Sequence, residues 1–248
     1  MEKLKWTIGI INLNSLEFIE HQLKYFHEFC SDFEFIIYDN DSVKKNTFLD
    51  DISKKYKNIR VIQTPNVSHG LHSHGLGLNA CVQMAQGKYI LLMDPDFFWI
   101  KKNILSLFEH YFDQGCHAIG TEDWNHSFPM PWGAAYITDE IRDLDLRSKC
   151  HPCDKCHAWV SDLDHGTGFQ LRIRLKNKPH HAFKKVLNQI PDLGKLNNTG
   201  YSQTYAYDTK AIAHHLKGGS QIEETYTKEQ VEEIRSKYTE WMWSQLYD

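Results

Sequence analysis

Lys88-Tyr89-Ile90-Leu91-Leu92-Met93-Asp94-Pro95-Asp96 is an apolar run of strand length that stops at two carboxylates one residue apart. Unbroken apolar side chains from Tyr89 to Met93 suit a central strand of a parallel sheet, which is buried on both faces. Ligands of open α/β sheets bind beyond the carboxyl ends of the strands, where Asp94 and Asp96 would emerge. Two carboxylates so close repel one another unless a cation lies between them. Mg2+ or Mn2+ takes one or two protein carboxylates together with phosphate oxygens. The stretch thus points to a metal–diphosphate site, against the plainer alternative of a solvated Asp-Pro turn.

The residues before it read as a series of strands and helices. Thr7 to Asn14 is a buried strand running into a loop. Asn14 and Glu17 have capping-box spacing ahead of Leu16, Ile19, Leu23, Phe26 and Cys30 at helical period. A second strand, Phe33 to Tyr38, ends at Asp39-Asn40-Asp41-Ser42, and Ile59 to Gln63 is a short third strand. A Gly/His-rich stretch from His69 to Asn79 enters a helix that ends near Gly87, directly before the Asp94 strand. The order β-α-β-α-β-α-β, with acidic or glycine-rich strand ends, is that of a nucleotide-binding α/β domain.

Four elements in this order resemble the inverting family-2 glycosyltransferases of GT-A fold. They are the strand-loop opening with Asn12 and Asn14, then Asp39, Asn40 and Ser42, then His74, Gly75, Asn79, Ala85 and Gly87, and finally Asp94 and Asp96. The resemblance covers residues 6–100 well and is patchy from there to about 220; Ile11 stands where many members have proline. It implies an α/β GT-A fold: a Rossmann-like, nucleotide-binding half, a mixed central sheet and a C-terminal acceptor-side region. It also implies a nucleoside-diphosphate sugar, UDP-linked by preference, bound across the strand ends. Asn12, Asn14, Ser42, His74 and Gly75 would contribute to that donor site. Asp39 would accept from the N3–H of uracil, its alternative being a turn aspartate that caps the next segment. Asp96 would ligate the cation, and Asp94 would sit near the ribose or a metal-bound water.

The later part of the chain is expected to hold the acceptor. Phe108, Tyr111 and Phe112 belong to a helix, Cys116 to Gly120 to a strand, and Trp124 to Pro131 to an irregular aromatic stretch. In Trp132-Gly133-Ala134, the family's usual place for close approach to the donor sugar, Gly133 and Ala134 would line the pocket; a plain tight turn is the alternative. An inverting transferase needs a carboxylate to take the acceptor's proton. The matching stretch runs from Asp162 to Arg172, where an Asp-Thr-Gly alignment puts Gly166 at the place of the base. Asp164 is the candidate instead, with Asp162 and Asp123 behind it, and its alternative role is to cap a 168–176 helix. Further on, Ala211 to His215, with Gly-Ser following, resembles the family's late metal-binding histidine. His215 has the better spacing and His214 is close behind. Lys217 is placed to neutralise a diphosphate or simply to be solvated.

Composition is consistent with one enzyme domain. The 248 residues suffice for a sizeable core. The divisions expected are a nucleotide-sugar part to about 100, an acceptor and catalytic part from about 101 to 220, and a C-terminal helix over 221–248. A net charge of −4 gives no general affinity for polyanions. No signal pattern and no apolar run near the roughly 18 residues of a membrane span are seen, so a cytoplasmic protein is expected. Cys30, Cys81 and Cys116 lie in apolar contexts as small buried side chains.

Cys150, Cys153 and Cys156, with His151 or His157, could form a structural Zn2+ site, although Pro152 restricts their convergence and a reduced loop is the simpler reading. Cys153 to His157 also satisfies a haem-attachment pattern, disfavoured without an export signal. Thr227 and Gln230 have capping-box spacing ahead of a terminal helix bearing Val231, Ile234, Tyr238, Trp241, Met242, Trp243 and Leu246. That helix is expected to pack on the domain, the alternatives being a dimer or membrane-surface contact.

The function expected is metal-dependent glycosyl transfer, with inversion, to an unidentified hydroxyl of a glycan, lipid-linked carrier, protein or modified nucleobase. Nucleotidyl transfer on a related fold and a catalytically silent nucleotide-sugar or zinc-binding module are the alternatives.

Overall fold

The computed structural model describes residues 4–12, 15–40, 45–63, 71–123, 126–147, 168–186, 202–207, 210–216 and 227–247. Its first part alternates as expected: β1 (Trp6–Asn12), α1 (Leu16–Phe29), β2 (Phe33–Asp39), α2 (Lys45–Lys55), β3 (Ile59–Gln63), α3 (Leu71–Met84) and β4 (Tyr89–Met93). After it come β5 (Phe97–Trp99), α4 (Ile104–Asp113), β6 (Ala118–Asp123), β7 (His126–Ile137), α5 (Thr138–Ile141), α6 (Phe169–Leu175), β8 (His180–Val186), β9 (Ser202–Tyr207), β10 (Lys210–Leu216) and α7 (Lys228–Tyr247). Among the described residues the strands form one sheet in the order β3-β2-β1-β4-β7-β6-β8-β9-β10-β5. The first four are parallel, and β7 then joins β4 antiparallel, so the sheet is mixed.

Strand alternation separates two cores. Trp6, Ile8 and Ile10 of β1, Phe33, Phe35 and Ile37 of β2, and Tyr89, Leu91 and Met93 of β4 face one side. There they meet Ile19, Leu23 and Phe26 of α1 and Phe108 and Phe112 of α4. Ile11, Ile36, Tyr38, Ile90 and Leu92 face the other side, against Leu78, Cys81 and Val82 of α3. Burying each large side chain of this kind contributes about 1.5–3 kcal/mol, and β1 and β4 carry them on both faces. The unbroken apolar run of β4 follows from this central position.

At the amino end of these strands, buried Glu34 accepts from Thr7 Oγ1 (2.7 Å), Arg60 Nη2 (2.6 Å) and the Gln86 N–H (2.7 Å). The turn from α3 into β4 is thereby tied to β1, β2 and β3.

Several expectations shift. The first helix has Ser15 as its N-cap, not Asn14, and Ser15 makes no side-chain cap. Residues 126–131, expected to be irregular, belong to β7, whose Tyr136 hydroxyl donates to the Pro129 carbonyl at 2.9 Å. The short helix α6 has Gly168, at φ 80°, as its N-cap, so the cap is not Asp164. Strands β5, β8 and β9 were not foreseen. The terminal helix carries its capping box as expected: Thr227 N–H donates to Gln230 Oε1 at 3.0 Å, and Gln230 N–H donates to Thr227 Oγ1 at 3.4 Å. This helix buries Tyr238, Met242 and Leu246 against the body of the chain. Among the described residues, no helix is long and apolar enough to cross a membrane.

Candidate active site

The carboxyl end of β4 breaks into a turn because Pro95 follows Asp94. The Asp94 N–H still donates to the Trp132 carbonyl of β7 (3.1 Å), and the Phe97 N–H closes back on the Asp94 carbonyl (3.2 Å). Chain direction then changes and β5 pairs antiparallel with β10, His215 opposite Phe97 and His214 opposite Phe98. This pairing delivers a histidine from far along the sequence to the acidic turn. His215 Nε2 lies 3.5 Å from Asp94 Oδ2 and 3.3 Å from Asp96 Oδ1. One ligand atom from each of Asp94, Asp96 and His215 falls within 4.8 Å of the others. Asp96 and His215 are buried, and Asp94 is partly open.

Further contacts fix this group. His74 Nε2, from the first turn of α3, lies 3.2 Å from Asp94 Oδ1. Gln22 of α1, wholly enclosed, donates its amide to the carbonyls of Pro95 (3.4 Å) and Phe97, on either side of Asp96. Gln22 was not among the expected residues: a polar side chain on an amphipathic helix normally faces water, and only the packing of α1 on the turn shows its use.

The electrostatics follow from this enclosure. Burial lowers the His215 pKa, but the hydrogen bonds and charges of Asp94 and Asp96 outweigh it and raise the imidazole to about 9. Burial likewise raises the Asp94 carboxyl, yet His215 and His74 hold it well below the usual carboxylate range. Near neutral pH a protonated imidazole therefore bridges the two carboxylates, occupying the place of a cation. Two carboxylates and an imidazole, with no thiolate, suit a hard or borderline divalent ion such as Mg2+ or Mn2+.

The neighbouring histidine has another fate. His214 points to the opposite face of β10 and is fully enclosed, its ring 5.3 Å from Tyr238 and 5.2 Å from Trp241. Burial and the nearby His215 push its pKa down to about 3, so it is neutral. Strand alternation thus decides between the two histidines.

At the same end of the sheet, one strand over, Asn12 pairs in register with Asp39. Asn12 Nδ2 donates to Asp39 Oδ1 at 2.7 Å, and the Ser15 N–H donates to Asn12 Oδ1 at 3.1 Å. The backbone N–H fixes the flip of the amide, so its NH2 must face Asp39. Ile10 lies opposite Met93 across β1 and β4, so Asn12 reaches the level of the acidic turn.

The family model for glycosyl transferase family 2 matches residues 7–138, just over half of the chain. The chain belongs to glycosyl transferase family 2. The structure of S. aureus TarS 1-349 is similar in fold to this glycosyltransferase, at 14% identity and a TM-score of 0.54. That likeness covers 98% of this chain and 70% of TarS 1-349. The mannosyltransferase PcManGT from Pyrobaculum calidifontis, solved with GDP-Man and Mn2+, is similar at 11% identity and a TM-score of 0.54, over 98% of this chain and 73% of that one. The glycosyltransferase also matches TarS 1-349 in complex with UDP at 18% identity and a TM-score of 0.47, over 58% of this chain, and it spans 50% of that relative's length. No curated protein matches its sequence.

The other expected positions of this glycosyltransferase divide three ways. Asp94, Asp96, His215 and His74 come together, and Asn12 pairs with Asp39. Gly75, Gly133 and Ala134 have packing reasons of their own. A side chain at Gly75 would meet the Arg147 backbone at 2.4 Å, and one at Gly133 would meet the Phe97 ring at 2.4 Å. Ala134 is enclosed in the α3-side core. At these three positions the packing by itself calls for a small residue. Asn79, part of the family pattern, accepts from the Leu146 N–H at 2.7 Å and donates to Asp145 at 3.0 Å, pinning the segment that crosses Gly75. Asn14, Ser42, Cys150, Cys153, Cys156, Asp162 and Asp164 lie outside the described residues, as does the side chain of Asp123.

Proposed function

We propose that this glycosyltransferase moves a sugar from a nucleoside-diphosphate donor, UDP-linked by preference, to an acceptor hydroxyl with inversion, and that a divalent cation is required. The observation that carries this reading is the convergence of Asp94, Asp96 and His215 at the strand end, with Asp39 two strands away at the same end of the sheet. The Mn2+ and GDP-Man in the fold relative PcManGT support the divalent cation and the nucleoside-diphosphate sugar. When bound, Mn2+ or Mg2+ supplies positive charge for the diphosphate leaving group.

Chain residues would do the rest. Asp39, oriented by Asn12, accepts the N3–H of uracil and so selects the donor base, and Asn14 and Ser42 contribute to holding the donor. His74, already bonded to Asp94, faces the donor side of the carboxylate pair. Asp164 takes the proton from the acceptor hydroxyl as that oxygen attacks the anomeric carbon. The C–O bond to the diphosphate breaks on the opposite face, and the configuration inverts.

A panel of UDP-, GDP-, TDP- and CMP-sugars, each with Mn2+ or EDTA, tests the proposal by thermal shift and by release of free nucleotide. A Mn2+-dependent rise in melting temperature with one donor, and sugar turnover lost in Asp96→Ala, are expected. Equal binding in EDTA would refute the metal assignment. Binding without turnover of any sugar, across a broad acceptor set, would indicate a silent nucleotide-sugar module.

A further inference from the structure

Helix α6 turns one face to the α3-side core, where Leu171 and Leu175 are wholly buried together with Phe128 and Met130 of β7, Ile141 and Leu146. Residues three and four apart share a helix face, so Arg172 lies on the stripe that runs from Gly168 to Leu175. A charge there is out of pattern, since the core-facing stripe of such a helix is apolar. Arg172 Nη1 is buried and has no hydrogen-bond partner among the described residues.

The carboxylates next to α6 are taken by other arginines. Arg174 Nη2 pairs with Asp143 at 2.9 Å, and Arg147 Nη2 pairs with Asp145 at 2.6 Å. Asp145 also accepts from Asn79 at 3.0 Å, and its N–H donates to Gln170 Oε1 of α6 at 3.1 Å. Of these three arginines, Arg172 alone has no acidic partner among the described residues. A buried charge without a counter-charge is costly, and a buried polar group kept without a partner points to an ion or ligand that completes it.

Its position ties Arg172 to the site. The Gly168 N–H donates to the Leu146 carbonyl at 3.1 Å, and a side chain at Gly168 would meet Pro131 at 2.8 Å. The residue after Pro131, Trp132, accepts the Asp94 N–H, and the Leu146–Arg147 backbone crosses Gly75, next to His74. Helix α6 therefore starts against the segments that border Asp94 and His74.

We propose that Arg172 is the centre of an oxyanion-binding site that takes a phosphate or carboxylate group of a substrate. A guanidinium presents paired N–H donors that match two oxygens of such a group. The donor diphosphate is one source and an acidic group on the acceptor is the other. Either assignment rests on the function proposed above, whereas the affinity for an oxyanion does not.

Arg172→Met keeps much of the side-chain length and removes the charge. In EDTA, where the acidic turn repels added anions, inorganic phosphate should raise the melting temperature of wild type above that in chloride of equal ionic strength. It should leave Arg172→Met unchanged, and Arg172→Lys, which keeps the charge without the fork, should respond weakly. In chloride alone Arg172→Met should be at least as stable as wild type, because an unpaired charge has gone. Calorimetry with UDP and uridine in Mn2+ separates the two sources. If the diphosphate is the anion, the preference for UDP over uridine falls about tenfold or more in Arg172→Met. An unchanged preference with the phosphate response lost assigns the anion to the acceptor. A phosphate response absent from wild type, or equal in wild type and Arg172→Met, would overturn the inference and leave the proposed function standing. So would an Arg172→Met less stable than wild type in chloride, since the protein itself would then hold the guanidinium. Failure of wild type to bind UDP would count against the proposed function and not against this site.

Discussion

The proton shared among Asp94, Asp96 and His215 makes the proposed metal affinity pH-dependent in a definite direction. His215 has its pKa raised from 6.5 to about 9 by the two carboxylates, so at pH 7 its imidazole is almost wholly protonated. A cation can use Nε2 only after that proton leaves. From pH 7 to the folded pKa the competition amounts to two pH units. At 1.36 kcal/mol per unit, that is about 2.7 kcal/mol, or roughly 100-fold in apparent affinity. Between pH 6.5 and 8 the Mn2+ affinity should therefore rise about tenfold per pH unit.

Titration calorimetry in two buffers of different ionisation enthalpy should count about one proton released per Mn2+ at pH 7. His215→Gln should weaken binding and flatten the slope. The sign also fixes the behaviour of the cation-free fold. Because the folded pKa is raised, the imidazolium pairing stabilises fully below about 6.5 and is lost as pH rises through about 9. The gain in melting temperature on adding Mn2+ should thus widen with pH. No released proton and a flat affinity profile in wild type would refute the assignment of His215 as a ligand.

Replacing Asp39 by Ala should abolish the preference for uridine over cytidine diphosphate in calorimetry, since cytosine lacks the protonated ring nitrogen; an unchanged preference would return Asp39 to a turn-capping role. Gln22→Ala would strand the Pro95 and Phe97 carbonyls in a dry site and should destabilise by about 1–3 kcal/mol in urea unfolding, with weaker Mn2+ binding than wild type. Asp164→Asn should keep donor affinity and lose about 10²–10⁴ in transfer rate; near-wild-type turnover, with Asp123→Asn or Asp162→Asn inactive instead, would place the base elsewhere.

Much of the chain up to β4 is legible because its signals are local. The runs of β1, β2 and β4 are apolar on both faces, as strands flanked by helices must be, and the carboxylates Asp39 and Asp94 stand where those runs stop. Family pattern and strand order agreed because both arise from the same buried β-α-β frame. Beyond β4 the local signal fades. Strand β5 is three residues long, too short to show a period, and it exists because β10 pairs with it.

Other details lie beyond any local pattern. Glycine at 133 reads as an approach to a sugar, and the structure adds a second reason for it, a ring from across the turn where a side chain would stand. Gln22 looked like one more polar residue on a helix, and Arg172 like one more arginine on another. The residues of a carboxylate turn, and the kind of ion it suits, were determined by the sequence alone, since they depend on side-chain chemistry next to a buried strand. Which of His214 and His215 faces the carboxylates, and which side chains hold them, was decided only by the tertiary structure. These depend on the pairing register of strands more than a hundred residues apart, and no short-range pattern records that register.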